Sequence, residues 1–224
     1  MKAIIFDFDG TLTKSEKGEN CWQRVWTEID DLETDRKYYT MHKNKEIDDV
    51  QWCKLVFDRY VEKNVNAQTF KAAADKTLLL QGAAQTLKEL SEKGIKVFIL
   101  SGGIRQVIDL VIARENLGDY ITSIETYDMV LDDKGELFDF KSPAHNLESK
   151  NEFIEFVKNS YGFKAQEILF VGNGANDQDA YKSGVVTLCV NPDGADHTNK
   201  KYWTYVIERC EDLTQILEYI NPKN

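Results

Sequence analysis

The stretch AIIFDFDGT, residues 3–11, decides the fold of this chain of 224 residues. Four apolar residues at 3–6 run directly into Asp7 and Asp9, two carboxylates one residue apart, and a glycine and a threonine follow. A short run that is apolar on both faces is typical of a strand buried in a parallel sheet. Two acidic residues at the end of such a strand indicate a ligand site at the edge of that sheet.

Strand-like and helix-like segments alternate along most of the remaining chain. Apolar runs of strand length lie at residues 2–6, 95–100, 168–171 and 185–190, and segments with apolar residues at helical spacing lie at 83–93, 104–116 and 150–160. This alternation predicts an α/β fold with a doubly wound, mostly parallel sheet. The turn sequence DDKG at 132–135 predicts a small hairpin between two of these units.

Residues 14–80 differ from this pattern because they are rich in charged and aromatic residues and contain no clear strand. Trp22 and Trp26 fall on one face of a predicted helix. We predict that residues 14–80 form a small helical cap, inserted after the first strand of a core built from residues 1–13 and 81–224. The alternative is that these helices belong to the core domain itself.

Composition excludes several classes of function. The chain carries 38 acidic and 28 basic side chains, a net charge of -10, which argues against nucleic-acid and anionic membrane partners. It has no apolar run of about 18 residues, so no membrane span is expected. Its cysteines and histidines show no zinc-ligand spacing, and reduced thiols in a cytoplasmic protein are expected. These residues are Cys21, Cys53, Cys189, Cys210, His42, His145 and His197.

Four polar segments follow predicted strands or precede predicted helices: residues 7–11, SGG at 101–103, Lys150, and GNGAND at 172–177. Ligands bind beyond the carboxyl ends of strands in open α/β sheets, so these segments are expected to meet there. Oxygen-rich loops suit Mg²⁺, and the SGG turn offers a hydroxyl and backbone N–H groups to an anion. With the charge of a lysine, this set predicts phosphoryl transfer on a small phosphorylated metabolite.

At these residues the sequence resembles the haloacid dehalogenase-like (HAD) superfamily, particularly its phosphoserine phosphatase-like branch. The segment DFDGT at 7–11 looks like the first family motif, DxDGT, and Ser101 matches the second. Lys150 matches the third motif and precedes Asn173 by a spacing similar to that in phosphoserine phosphatases. The segment 172–177 resembles the fourth motif, GDGxND. The likeness covers most of the chain outside the predicted cap.

The resemblance implies a mechanism. Asp7 would attack phosphorus to form an aspartyl-phosphate, and Asp9 would protonate the leaving alcohol and then deprotonate the attacking water. Ser101 and Thr11 would hold phosphate oxygens or orient Asp7, and Lys150 would neutralise the nucleophile and the phosphate. The presence of Asp9 favours a phosphatase over a dehalogenase, whose reaction has no leaving alcohol to protonate.

The resemblance also implies a Mg²⁺ site formed by Asp7, the backbone carbonyl of Asp9 and position 173. Here the sequence departs from the family, because Asn173 stands where a carboxylate is expected. An amide oxygen can bind Mg²⁺ but brings no charge, and Asp177 could supply the missing negative charge. We therefore expect weak Mg²⁺ binding, and a catalytically weak phosphate-binding protein is one alternative function.

The substrate is the least determined feature. Gly102 and Asn176 are predicted to bind the substrate, and the resemblance places Glu16 and Arg59 where the family holds the amino and carboxylate groups of serine. Phosphoserine is therefore the leading candidate substrate, and nucleotides or sugar phosphates are the alternatives. The oligomeric state is not predicted.

Overall fold

The computed structural model describes residues 1–14, 19–147, 149–191 and 201–220. The strands are β1 Ala3–Phe6, β2 Lys96–Ile104, β3 Ser123–Leu131, β4 Leu137–Lys141, β5 Ile168–Gly172, β6 Val186–Val190 and β7 Tyr205–Ile207. The helices are α1 Cys21–Glu28, α2 Leu32–Lys43, α3 Asp49–Glu62, α4 Ala67–Asp75, α5 Ala83–Glu92, α6 Arg105–Arg114 and α7 Asn151–Tyr161. Short 3-10 helices lie at Gly118–Tyr120, Ala165–Glu167, Ala175–Ser183 and Leu213–Tyr219.

The seven strands form one sheet in the order β4-β3-β2-β1-β5-β6-β7. All neighbouring strands are parallel except β3 and β4, which form the predicted antiparallel hairpin at one edge. The first strand lies at the centre because β2 and β5 both pair with it. The prediction of an α/β fold with a doubly wound, mostly parallel sheet is confirmed.

The central strand is apolar throughout because both of its faces are covered. Ile4 and Phe6 pack into the hydrophobic cluster on one face of the sheet, whereas Ala3 and Ile5 pack into the cluster on the other. All four side chains are completely buried. Successive side chains of a strand point to opposite faces, so a strand covered on both sides needs an apolar residue at every position.

Glycines in the left-handed backbone conformation end two of the helices. Gly94 and Gly162, with φ of 71° and 64°, follow α5 and α7. After α6 the left-handed residue is Asn116, with φ of 56°, and Gly118 instead begins a 3-10 helix. Asparagine tolerates this conformation better than most residues with a side chain, so α6 can end just before Asn116 and does not need the glycine two residues later.

Helices α1 to α4 occupy most of the segment predicted to form a cap. Their apolar faces are buried in the same cluster as one face of the sheet, which joins Trp26 and Tyr60 to Ile4 and Phe6. The division into cap and core stays a prediction. In the described part of the chain, no helix is long and apolar enough to cross a membrane.

Candidate active site

The carboxyl end of the central strand carries the first predicted catalytic residue. The backbone N–H of Asp7 donates to the carbonyl oxygen of Val171 at 2.9 Å, so the pairing between β1 and β5 continues one residue past the strand. The Asp7 side chain opens into a cleft of about 220 Å³. Residues lining this cleft are Asp7, Asp9, Glu19, Asn20, Trp22, Ser101, Gly102, Gly103, Asn173, Gly174 and Asn176.

A buried lysine connects two of the predicted segments. Lys150 is completely buried, and its Nζ donates to the carbonyl oxygen of Leu100 at 2.9 Å. The same nitrogen lies 3.5 Å from Oδ1 of Asp7 and 3.6 Å from Oδ1 of Asp177. Lys150 has a φ of 56° at the start of α7. Residues in this sparsely populated conformation often cluster at functional sites.

The electrostatics of this cluster are unbalanced. Burial and, after it, the nearby charge of Asp177 raise the pKa of Asp7 to about 8, although Lys150 opposes both effects. One ammonium group therefore faces two buried carboxylates. Burying a charge without a partner is costly, so this cluster favours an additional positive charge.

The side chains around Asp177 offer oxygen ligands to a cation. Its Oδ2 accepts hydrogen bonds from the backbone N–H groups of Asn173 and Gly174, both at 3.0 Å, while its buried Oδ1 accepts none from the residues described. Oδ1 of Asn173 accepts a 3.4 Å hydrogen bond from the Thr11 hydroxyl. Carboxylate and amide oxygens beside two buried carboxyl groups that share one ammonium fit a hard cation such as Mg²⁺.

A metal site formed by acidic, histidine and cysteine side chains alone is absent from the described residues, where no three such groups converge. Position 173 carries an amide and so does not count among these groups. The carboxylate of Asp9 is held by α1 and is not directed to the same point as Asp7 and Asp177. The arrangement agrees with a cation site that depends on amide and backbone oxygens as well.

Asp9 is held by the first turn of α1. Its Oδ2 accepts from the backbone N–H of Cys21 at 3.1 Å, and its Oδ1 lies 3.4 Å from both the Arg24 guanidinium and the Cys21 thiol. Burial raises the pKa of Asp9, whereas the Cys21 N–H and Arg24 lower it. Sequence analysis missed Cys21 and Arg24, because the helical periodicity identifies only the apolar face of α1.

Close contacts of the backbone occur in two of the segments predicted to bind phosphate. Gly10 has a φ of 75°, and a Cβ atom there would lie 2.4 Å from Nδ2 of Asn173, so only glycine fits. In the second segment, Oγ of the buried Ser101 accepts from the backbone N–H of Gly103 at 3.1 Å. The carbonyl oxygen of Gly102 accepts from Nε1 of Trp22 at 2.7 Å.

A second cavity, of about 500 Å³, adjoins the cleft and lies between the sheet edge and helices α1 to α3. The two cavities share Asn20, Trp22, Gly102 and Asn176. The other residues that line the second cavity are Gln23, Asp35, Arg36, Tyr39, His42, Asp49, Trp52, Tyr127 and Leu147. The predicted substrate residue Asn176 therefore lies where the two spaces meet.

Arg59, the one described residue of the two predicted to hold a substrate amino acid, is not brought to this site. Arg59 is paired with Oδ2 of Asp31 at 2.7 Å and with Oε2 of Glu62 at 2.6 Å, and it lines neither cavity. Its position on α3 directs it to the start of α2, which helical spacing alone does not reveal. Glu16 lies outside the described residues. The arginine that lines the second cavity is Arg36.

The doubly wound sheet, the carboxylate pair that follows its central strand and the buried lysine beside Asp7 define an α/β protein with a candidate active site at the edge of the sheet. The family model for haloacid dehalogenase-like hydrolases matches residues 1–183. The chain therefore belongs to the haloacid dehalogenase-like hydrolase family, and its relatives place it among the phosphatases of that family.

Those relatives are phosphoserine phosphatases. The chain is 26% identical to the phosphoserine phosphatase of Methanocaldococcus jannaschii over 222 residues, which cover 98% of this chain and 97% of that protein. It is 28% identical to the phosphoserine phosphatase of Mus musculus over 102 residues, 46% of this chain and 44% of the mouse protein. The crystal structure of a phosphoserine phosphatase in its apo form has a TM-score of 0.73 at 21% identity and covers 98% of both chains, which shows the shared fold.

Proposed function

We propose that this chain is a Mg²⁺-dependent phosphomonoester hydrolase that acts on a small phosphorylated metabolite through an aspartyl-phosphate. The observation that carries the proposal is the position of Asp7, whose carboxylate lies at the end of the central strand and 3.5 Å from the ammonium of a completely buried lysine. Asp9 lies two residues further and is held separately by α1. One carboxylate is thus free to attack, and the other is placed to transfer protons.

In the first step, an Asp7 carboxylate oxygen forms a bond to phosphorus as the bond from phosphorus to the leaving oxygen breaks. Protonated Asp9 gives its proton to the leaving alcohol. In the second step, the Asp9 carboxylate takes a proton from water, whose oxygen attacks phosphorus and releases inorganic phosphate and free Asp7. The burial that raises the pKa of Asp9 favours the protonated form needed first.

Several other residues bind the phosphoryl group in this proposal. Lys150 neutralises the negative charge shared by Asp7 and the phosphate. Thr11 offers a hydroxyl group from the loop that follows the central strand, Ser101 offers another from the neighbouring strand β2, and Gly102 offers its backbone N–H. Such positioning and charge neutralisation account for most of the catalysis in phosphoryl transfer.

The proposed Mg²⁺ ligands are Asp7, the backbone carbonyl of Asp9, and Asn173, with Asp177 contributing negative charge beside them. When bound, Mg²⁺ would neutralise phosphate charge and favour the ionised form of Asp7. The two buried carboxylates that share one lysine support this assignment.

Phosphoserine remains the leading candidate substrate because the relative that matches nearly the whole chain is a phosphoserine phosphatase. The aromatic lining of the second cavity favours the alternative of a larger leaving group, such as a nucleoside or another bulky alcohol. The amide at position 173 favours a second candidate function, that of a catalytically weak phosphate-binding protein.

Release of phosphate from p-nitrophenyl phosphate, with MgCl₂ and with EDTA, tests the proposal. We expect Mg²⁺-dependent turnover that Asp7→Asn abolishes, since a neutral amide cannot attack phosphorus. Asp133→Asn, at an exposed position of the hairpin turn, is the matched control and should retain full activity. Turnover by the Asp7→Asn variant above a few per cent of wild type would rule out the aspartyl-phosphate. Tight phosphate binding without turnover by the wild type would favour the binding protein.

A further inference from the structure

The second cavity is the place where the leaving group of a bound phosphomonoester would lie. It is continuous with the catalytic cleft because Trp22, Gly102 and Asn176 line both spaces. Its volume of about 500 Å³ falls within the usual range for sites that bind molecules of drug size. Serine is much smaller than such molecules, so the volume favours a larger alcohol as the leaving group.

One wall of the second cavity is made of aromatic rings that pack edge to face. The ring centroid of Trp52 lies 4.8 Å from that of Trp22 and 6.4 Å from that of Tyr127, with interplanar angles of 71° and 62°. Nε1 of Trp22 donates to the carbonyl oxygen of Gly102, which fixes this wall relative to the catalytic cleft. Trp52 and Tyr127 are only half-buried. A planar aromatic ring that enters the cavity would stack against them, an interaction that every nucleobase can make.

The same cavity presents hydrogen-bond acceptors that have no partner among the residues described. Asp35 is only 9% exposed, yet its carboxylate accepts no hydrogen bond from these residues. Oδ1 of Asp49 lies 2.6 Å from Nε2 of His42, and its other oxygen accepts none from them. Burial raises the pKa of Asp35 to about 6, so this carboxylate is mostly ionised at neutral pH. An ionised carboxylate can only accept, so these oxygens suit a ligand with N–H donors.

A positive charge lies beside these acceptors. Arg36 lines the cavity next to Asp35 and lowers the pKa of that carboxyl group. The two opposite charges largely cancel, so the lining suits a neutral group that carries both donors and acceptors. A nucleobase with an amino group carries N–H donors, ring nitrogens that accept, and an aromatic face. The zwitterion of serine would match the two charges, but it has no ring to fill the space against Trp52 and Tyr127.

We propose that the leaving group of the substrate is a nucleoside whose base carries an amino group. The base stacks against Trp52 and Tyr127, and its amino group donates to Asp35. The 5′-phosphate then lies at Asp7, and its hydrolysis adds water across the P–O bond and releases the nucleoside and inorganic phosphate. This assignment rests on the proposed phosphomonoesterase function and specifies its substrate class.

Steady-state kinetics on nucleoside 5′-monophosphates test the assignment. Ribose 5-phosphate is the same ester without a base, and O-phosphoserine carries the zwitterion. Three matched pairs differ at an amino group: the monophosphates of cytidine and uridine, of adenosine and inosine, and of guanosine and inosine. We expect kcat/KM for the best amino-bearing nucleotide to exceed that for its matched partner, for ribose 5-phosphate and for O-phosphoserine at least about tenfold. A preference below about threefold in any of these comparisons would overturn the proposal.

Variants of the cavity locate the groups that are responsible. Trp52→Leu should reduce the preference for the best nucleotide over ribose 5-phosphate at least about fivefold. Phe138→Leu, which removes a ring that is 72% exposed on β4, is the control and should keep that preference. Asp35→Asn should reduce the preference within the matched pair to about twofold or less, whereas Glu33→Gln, at an exposed position of the same helix, should keep it.

Each preference is a ratio of two substrates on one variant, so a partial loss of folded enzyme cancels. If either cavity variant keeps the wild-type preference, as its control does, the proposal is wrong. A measurement on the wild type avoids substitutions altogether. The free nucleoside should inhibit p-nitrophenyl phosphate hydrolysis at least about tenfold more strongly than ribose does. Equal inhibition by the two would also overturn the proposal.

The p-nitrophenyl phosphate assay separates this proposal from the one on which it rests. If the wild type hydrolyses p-nitrophenyl phosphate but does not prefer an amino-bearing nucleotide, only the assignment of the leaving group is wrong. If the wild type hydrolyses none of these esters in the presence of Mg²⁺, the proposed phosphomonoesterase function is wrong, and the substrate class falls with it.

Discussion

The substitution Asn173→Asp tests the electrostatics of the site in two opposite directions. In EDTA, it adds a third carboxylate to a site where Asp7 and Asp177 already face one ammonium group, that of Lys150. Two like charges about 5 Å apart repel by about 3 kcal/mol at an effective dielectric constant of about 20. Because position 173 is partly exposed, we expect a loss of about 1–2 kcal/mol in the free energy of unfolding. For a chain of this length that lowers Tm by about 2–8 °C.

With Mg²⁺ the same charge acts in the opposite direction. A carboxylate ligand attracts a divalent cation more strongly than an amide does, although part of that attraction is offset by the loss of hydration. We expect Asn173→Asp to bind Mg²⁺ at least about tenfold more tightly, which corresponds to about 1.4 kcal/mol. The phosphatase rate at limiting Mg²⁺ should rise accordingly, and the stability lost in EDTA should be recovered.

Titration calorimetry with MgCl₂ and thermal unfolding in EDTA and in MgCl₂ measure these effects. Asn159→Asp, at an exposed position of α7, adds the same charge away from the site and serves as the control. If Asn173→Asp matches the wild type in Mg²⁺ affinity, rate and Tm, then position 173 is not a metal ligand. Asp177 would then have to take that role.

Three further variants separate catalysis from stability. In EDTA, Asp7→Asn should raise the free energy of unfolding more at about pH 9 than at about pH 6. The buried Asp7 carboxyl has a pKa of about 8, so the wild-type protein loses stability as pH rises through that value, whereas the amide does not ionise. An equal gain in stability at both pH values, measured by thermal unfolding, contradicts this. Arg24→Met should lower kcat about tenfold and move the alkaline limb of the pH profile to higher pH, because it removes a positive charge that lowers the pKa of Asp9. A lower rate with an unshifted pH profile would leave Arg24 a structural role only. Arg59→Ala should lower stability only slightly in denaturant unfolding and change the KM for O-phosphoserine by about twofold or less, because its guanidinium is paired with Asp31. A rise of about tenfold in KM would show that Arg59 reaches the substrate.

The sequence alone determined the fold class and the four segments that meet at the catalytic cleft. A strand covered on both faces must be apolar at every position, so the run at 3–6 identifies the central strand without reference to its neighbours. Asp7, Ser101 and Lys150 were predictable for a related reason. Asp7 follows β1, Lys150 precedes α7 and Ser101 follows the apolar part of β2, and the parallel sheet brings these positions to one edge.

The tertiary structure alone decided which polar side chains face each other across the helices of residues 14–80. Helical periodicity gives the apolar face of a helix but not the angle at which that helix crosses its neighbours. It therefore did not reveal that Arg24 reaches Asp9, that Arg59 pairs with Asp31, or that Asp35 lines the second cavity. Ion pairs and cavities depend on positions to within about an ångström, and the packing of several helices sets those positions together.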